Sequence, residues 1–472
     1  MRVLAVASEA VPLAKTGGLA DVVGALPAAL APLGVRVTTM LPGYPPVMAA
    51  LAGGRATKLP DMFGGAARLV AGRAGGRDLI ALDAPHLFGR PGNPYLAPDG
   101  ADWPDNAERF AAFGRAAAVA AKGFDAVHAH DWQAGLAAAY LRHGTAPRVP
   151  VVFTIHNLAF QGRFPAALFP RLGLPPEAFA LAGLEYMGGV GFMKAGLWYA
   201  DRITTVSPTY AAEIRTDAGG MGFGGLLRGR ADAISGILNG LDEAEWDPAT
   251  DTRLAARFDA ADPAPRAANR AALQARLGLA PDPDAPLFGF VGRFTGQKGV
   301  DLILDAVPQL VRAGAQLALL GNGERALEQR AQAAAARHPG RVGLTAGYDE
   351  VEARLIYGGA DCVLVPSRFE PCGLTQLCAL RYGAPPLVTH VGGLADTVID
   401  ANEAALAAGT GTGVVIARAA AEDLSLGLDR AAALIADRGL WAGIRRHGMA
   451  ADLSWRRSAP RYAALFRGVA GG

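Results

Sequence analysis

Short apolar runs alternate with amphipathic stretches along most of the chain. Val3–Ala7 is a compact apolar run, and Leu19–Leu33 repeats its apolar positions at helical spacing. Gly34–Met40 returns to strand-like character, and Ala126–His130, Val149–Ile155 and Arg202–Val206 follow, the first two running into polar residues. Strands this short, separated by helical segments, predict a parallel sheet covered on both faces. The second half repeats the pattern, with strands expected at Leu287–Val291, Gln316–Leu320, Val342–Thr345, Cys362–Val365 and Pro386–Thr389. A short echo joins the halves: Gly17-Gly18-Leu19-Ala20-Asp21-Val22-Val23 resembles Gly392-Gly393-Leu394-Ala395-Asp396-Thr397-Val398. Asp242–Pro265, rich in Asp, Pro and Ala, reads as a linker and the entry to a second domain. The expected division is 1–241 and 242–452, with a C-terminal helix over 453–472 packing back on the first domain through Trp455, Tyr462 and Phe466. The fold class is α/β.

Composition narrows the picture. The 472 residues suit two domains of roughly 200 residues each. Forty-five basic residues against 43 acidic ones leave no basic stripe of the kind that binds nucleic acid. Any anion site must therefore be local, built from a few placed cations and backbone amides. Three clustered cysteines, Cys362, Cys372 and Cys378, give no disulfide framework and favour a reducing compartment. CxxC and HExxH patterns are missing from the sequence, so no metal is expected. Met1–Ala14 is apolar, but Glu9 interrupts it and Lys15 closes it, which suits a buried first strand better than a signal peptide. No run reaches the ~20 apolar residues of a membrane span. A cytoplasmic protein without membrane or nucleic-acid partners is expected.

Doubly wound sheets take ligands at the carboxyl ends of their strands, and two such edges facing each other would make a cleft. The unusual residues stand at those ends. Lys15-Thr16-Gly17-Gly18-Leu19-Ala20-Asp21 turns into a helix whose first amides, beside a lysine, suit an anion. Phe153-Thr154-Ile155-His156-Asn157 ends a strand in two hydrogen-bonding side chains fit for a sugar. His128-Ala129-His130-Asp131 resembles a metal cluster but lacks further spaced ligands. Gly292-Arg293-Phe294-Thr295-Gly296-Gln297-Lys298-Gly299 places two cations about one turn, able to hold a diphosphate whose charge grows as its bond to a sugar breaks. Glu370, in Pro366–Thr375, could accept sugar hydroxyls, while the Gly373–Thr375 amides face phosphate or hydroxyls. Gly321-Asn322-Gly323-Glu324-Arg325-Ala326 fits a dinucleotide fingerprint. It lies in mid-domain without a clearly placed ribose-binding acid, so another strand-to-helix turn is the better reading.

Taken in order, these segments resemble the bacterial glycogen synthases and plant starch synthases over essentially the whole chain. The likeness includes KTGGLADV at 15–22, NPY at 93–95, HAHDW at 128–132, FTIHNLAFQG at 153–162 and GLEYM at 183–187. It continues through KAGLWYAD at 194–201, TVSPTYAAEI at 205–214, ILNGLD at 237–242, GRFTGQKG at 292–299 and PSRFEPCGLTQL at 366–377. The resemblance implies a GT-B fold, two Rossmann-like domains facing across a deep cleft, with no metal or other cofactor. It implies ADP-glucose as donor, an α-1,4-glucan such as glycogen as acceptor, and retention of the α configuration.

Carried over, Lys15 would meet the donor phosphate and the glucan or glucose side of the cleft, Gly17 and Gly18 would bind substrate beside it, and Asp21, His156, Asn157 and Asn239 would surround the glucose. Arg293 and Lys298 would neutralise the diphosphate, Tyr348 would stack on adenine and Glu370 would hold glucose hydroxyls. Cys372, Gly373, Leu374 and Thr375 would line glucose and phosphate through their backbone. The family suggests front-face attack, with the leaving phosphate helping to deprotonate the acceptor. Where many related retaining transferases carry a second Glu eight positions after the first, this chain has Cys378. Gly224 stands near a position where relatives usually carry an acid. The competing readings are a UDP-glucose transferase, a silent glucan-binding protein and, less well supported for so short a chain, a phosphorylase. Oligomeric state is left open.

Overall fold

The computed structural model describes residues 1–144 and 148–471. The chain divides into two units, 1–240 with 455–472 and 241–454.

In the first unit the strands are β1 (Arg2–Val6), β2 (Arg36–Pro42), β3 (Arg55–Lys58), β4 (Arg68–Ala74), β5 (Arg77–Asp83), β6 (Ala126–His130) and β7 (Val151–Ile155). They are followed by β8 (Arg163–Pro165), β9 (Glu185–Tyr186), β10 (Gly189–Gly191), β11 (Arg202–Thr205) and β12 (Ile234–Gly236). Among the described residues, nine of these form one sheet in the order β12-β11-β7-β6-β1-β2-β5-β4-β3. From β12 to β5 every pairing is parallel. The order reverses between β1 and β6, which makes that gap the topological switch point.

All residues of β6 and β7 are buried, which is why β7 reads as a near-continuous apolar run rather than an alternating one. The hairpin β3–β4 and its antiparallel junction with β5 escaped the sequence reading. Strand β3 is fully exposed and carries Arg55 and Lys58, so it has no apolar signature, and its charges discourage pairing at the sheet edge.

The C-terminal helix Trp455–Ala470 lies on helix Gly18–Leu30, with Trp455, Tyr462 and Phe466 in a core shared with Val3, Ala5, Val22, Leu26 and Leu30. The Phe466 ring stands 5.2 Å from that of His128 at the heart of β6.

In the second unit, β13 (Leu287–Val291), β14 (Gln316–Gly321), β15 (Val342–Ala346), β16 (Cys362–Val365), β17 (Pro386–Thr389) and β18 (Val414–Ile416) pair in the order β15-β14-β13-β16-β17-β18. Every pairing is parallel. Numbered within the unit this is 3-2-1-4-5-6, the Rossmann order, with its switch point between β13 and β16. The fold is α/β with parallel sheets in both units. The GGLAD echo does not mark equivalent places. Its first copy follows β1, the first strand of its sheet, and its second follows β17, the fifth of its own. What the copies share is local turn-to-helix chemistry.

The expectation of a linker at Asp242–Pro265 is corrected. Leu254 and Phe258 are buried in the second core, and Trp246 packs against it. The wholly buried guanidinium of Arg354 donates to the Glu245 carbonyl at 2.7 Å and to Asp251 at 3.1 Å, and lies 3.6 Å over the Trp246 ring. A segment without helix or strand carries no periodic pattern, so its anchors were invisible to periodicity. Truncating the C-terminal helix's main anchor, Phe466→Ala, is expected to cost about 3–5 kcal/mol of stability by denaturant unfolding.

Candidate active site

In the first unit the loop after β1 is shaped by a buried carboxylate. Glu9 accepts the Thr16 hydroxyl at 2.6 Å, the Gly17 amide at 3.3 Å, and also the Thr16 amide and the Tyr95 hydroxyl. The Tyr95 hydroxyl also lies 2.7 Å from Ser8 Oγ. Burial and the neighbouring Glu9 hold the Tyr95 phenol well above its usual range, so it stays protonated. Lys15 is paired with Asp21 at 2.8 Å, both half-exposed, so its cation is shared before any anion arrives. Gly18 begins the helix. A Cβ on Gly17 would meet nothing within 4 Å, so packing does not call for glycine there. Glu9 and Tyr95 were missed as site residues. Their signal was a carboxylate standing alone in an apolar run just past a strand end.

Three imidazoles gather at β6 and β7. His128 Nε2 is 2.7 Å from the Thr154 hydroxyl, which is 2.5 Å from that of Thr204. His130 Nδ1 is 2.9 Å from His156 Nε2. Burial drives His128 and His156 down to about 3 and His130 well below its ordinary value, so all three are neutral at neutral pH. Among the described residues no group of three or more His, Cys, Asp or Glu side chains is placed to hold a metal.

Asp131 opens helix Asp131–His143 in the left-handed region, φ +55°, a strained backbone for a non-glycine residue. That bend aims its carboxylate at the end of β7, where it accepts the His156 amide at 2.7 Å and, at 3.5 Å, the Asn157 amide. Burial outweighs these amides and pushes Asp131 up to about 7. Asn157 Oδ1 accepts the Ala159 amide at 3.0 Å. Asn239 lies beyond β12, three strands from β6, and its Oδ1 is buried without a hydrogen-bond partner among the described residues. Gly224 is fixed by its surroundings: a Cβ there would stand 2.4 Å from the Thr216 carbonyl oxygen. An acidic side chain at this position would require that loop to move.

In the second unit the loops after β13 and β16 flank the switch point and are stitched together. The Arg368 amide donates to the Gln297 carbonyl at 2.8 Å, and the Gln297 side chain donates to the Phe369 carbonyl at 3.2 Å. Arg368 pairs with Asp301 at 2.6 Å. Gly299, at φ +70°, lets the loops touch, since a Cβ would stand 2.1 Å from the Pro366 carbonyl oxygen. The stitching brings Lys298 Nζ to 2.5 Å from Glu370 Oε2, which also accepts the Ser367 hydroxyl at 3.1 Å.

Arg293 is exposed and forms no ion pair among the described residues. Cys372 is buried, and Gly373 adopts φ +77°. Leu374 precedes helix Thr375–Arg381, and Thr375 Oγ1 reaches the Val291 carbonyl at 3.4 Å. Tyr348, 67% exposed, follows β15, two strands from β13. The dinucleotide-like Gly321–Ala326 follows β14, the second strand of the sheet, and not the first, where a dinucleotide fingerprint belongs.

Known proteins resemble the chain over its whole length. A model of the starch synthase catalytic domain matches residues 2–229, and one of group 1 glycosyl transferases matches residues 275–434. A glycogen synthase of Acidiphilium cryptum is 58% identical, with 99% of each chain aligned. One of Rhodopseudomonas palustris is 56% identical over 99% of this chain and 98% of its own. The catalytic domain of starch synthase IV from Arabidopsis thaliana, solved bound to ADP and acarbose, superposes with a TM-score of 0.90 at 31% identity, covering 100% and 99% of the two chains. A sucrose-phosphate synthase from Thermosynechococcus elongatus, at 21% identity and a TM-score of 0.62, shares the fold.

The raised Asp131 fixes a pH dependence. A carboxyl shifted from 3.8 to about 7 on folding stabilises the native state below pH 4, and that contribution is lost as pH rises to about 7. The stability of Asp131→Asn relative to the parent is therefore expected to rise between about pH 4 and 7 and level off above it, by roughly a few kcal/mol in total. Urea unfolding of both proteins across that range measures the difference.

Proposed function

Because the chain belongs to the glycogen and starch synthase family, we propose that it moves glucose from ADP-glucose to the non-reducing end of an α-1,4-glucan such as glycogen, releasing ADP with retention of configuration. The observation that carries this reading is the Lys298–Glu370 pair at the switch point of a Rossmann-ordered sheet, contributed by two stitched loops. A nucleotide sugar needs a cation for its diphosphate and a carboxylate for its sugar hydroxyls, and here the two are held side by side.

In this reading the acceptor hydroxyl attacks the anomeric carbon on the face the phosphate leaves. The carbon–oxygen bond to phosphate breaks with its electron pair going to ADP, and the hydroxyl proton passes to a departing phosphate oxygen. Arg293 and Lys298 meet charge that grows along this path, and so favour the transition state over the bound donor. Glu370, held by Lys298 and Ser367, orients glucose and does not attack it. Tyr348 offers an exposed aromatic face to adenine, and the Cys372–Thr375 backbone lines glucose and phosphate. Lys15, Gly17, Gly18, Asp21, His156, Asn157 and Asn239 complete the contacts to the glucose and its phosphate. No metal or cofactor enters the scheme, and a cytoplasmic location belongs to the same reading.

Presenting ADP-glucose and UDP-glucose at equal concentration with glycogen should give nucleotide release and polymer growth chiefly from ADP-glucose. Preference for UDP-glucose overturns the donor, and glycogen binding without ADP release overturns the reaction. Lys298→Ala is expected to lower turnover by about 10²–10³, the loss typical of one transition-state donor. An unchanged turnover number with weaker donor binding alone contradicts that role.

A further inference from the structure

His130 and His156 end the adjacent strands β6 and β7, with His130 Nδ1 2.9 Å from His156 Nε2. Each ring is neutral at neutral pH, so each carries one N–H, and the hydrogen bond between them can run in two directions. If His156 Nε2 donated, His130 would accept at Nδ1 and carry its own proton on Nε2. That Nε2 is buried and has no hydrogen-bond partner among the described residues. The first direction would leave it an orphaned N–H, and the second only a bare lone pair. Buried donors without partners are the rarer defect in folded proteins.

We infer that His130 is a positioning residue that sets the tautomer of His156: His130 Nδ1–H donates to His156 Nε2, so His156 carries its proton on Nδ1 and presents an N–H to the ligand. The ring that does this is itself held. His128 lies against it at 3.9 Å between centroids, and His128 is fixed by Thr154 on one side and by Phe466 of the C-terminal helix on another. With Nε2 engaged and Nδ1 protonated, neutral His156 has no lone pair to offer. It can donate to a sugar oxygen but cannot take the acceptor's proton. This consequence rests on His156 belonging to the glucose site, as proposed above. It assigns that proton to the departing phosphate by excluding His156 as base.

The direct test is a long-range proton–nitrogen correlation spectrum of ¹⁵N-histidine-labelled protein, with His156 assigned by the loss of its signals in His156→Gln. A pyrrole-type Nδ1 and a pyridine-type Nε2 are expected for His156. A proton on His156 Nε2 in the unaltered protein overturns the inference, whatever any variant does. His130→Leu, which removes the donor, should release His156 from its single tautomer and lower turnover by about 10–100-fold, with a smaller change in KM for the donor. His130→Asn, which keeps an N–H near the Nδ1 position, should restore both. A His156 tautomer unchanged in His130→Leu overturns the inference. A shifted tautomer with unchanged turnover supports it and overturns the assignment of His156 to the reaction.

Discussion

Parallel pairing is the constraint from which the candidate site follows. When β1 pairs in parallel with both β2 and β6, and β13 with both β14 and β16, the carboxyl ends of those strands must emerge at one edge of each sheet. Segments far apart in sequence are thereby delivered together. Residues 9–21, 130–131 and 156–157 meet in the first unit, and residues 292–299 and 366–375 in the second. The strands are buried on both faces, so the first polar atoms to follow them are the ones available for chemistry.

Burying so many polar groups at a sheet edge is costly unless each is paired, and the two units answer this differently. The second unit pairs opposite charges. Lys298 meets Glu370, and Arg354 is surrounded by acceptors while covering Trp246. At the ends of β6 and β7 the first unit keeps its groups neutral, with three imidazoles held by burial in their uncharged, singly protonated form and Asp131 moved up towards neutrality. Neutral rings hydrogen-bond directionally. An ion pair fixes where charge sits, whereas a chain of neutral imidazoles fixes which atom holds a proton. A transfer reaction that must control both the charge on a leaving phosphate and the path of one proton has use for each arrangement.

The C-terminal helix belongs to this economy of positions. It follows the whole second unit in sequence yet packs in the first, with Phe466 beside His128. Its aromatic anchors thus bear on the ring that holds His130. Glu9 plays the corresponding part at β1. Its carboxylate satisfies the turn's amides and hydroxyls, leaving Gly17 exposed to solvent without any packing demand for glycine.

The sequence by itself determined the alternation of buried strands and helices, because full burial writes an uninterrupted apolar run that needs no partner to be read. It also carried the segments at the strand ends, where Lys15, His156, Lys298 and Glu370 stand out against apolar neighbours. It did not carry the exposed edge strand β3 or the anchoring of 242–265. Exposed edge strands and irregular segments have no period, and Arg354 meets Asp251 only across 103 positions of chain. Which polar residues touch was decided by tertiary structure alone. The bond between His130 and His156 and the closure of Lys298 on Glu370 join groups whose distance depends on strand order and loop packing. Those contacts settle charge and proton position, which depend on ångström-scale geometry that no residue's identity encodes.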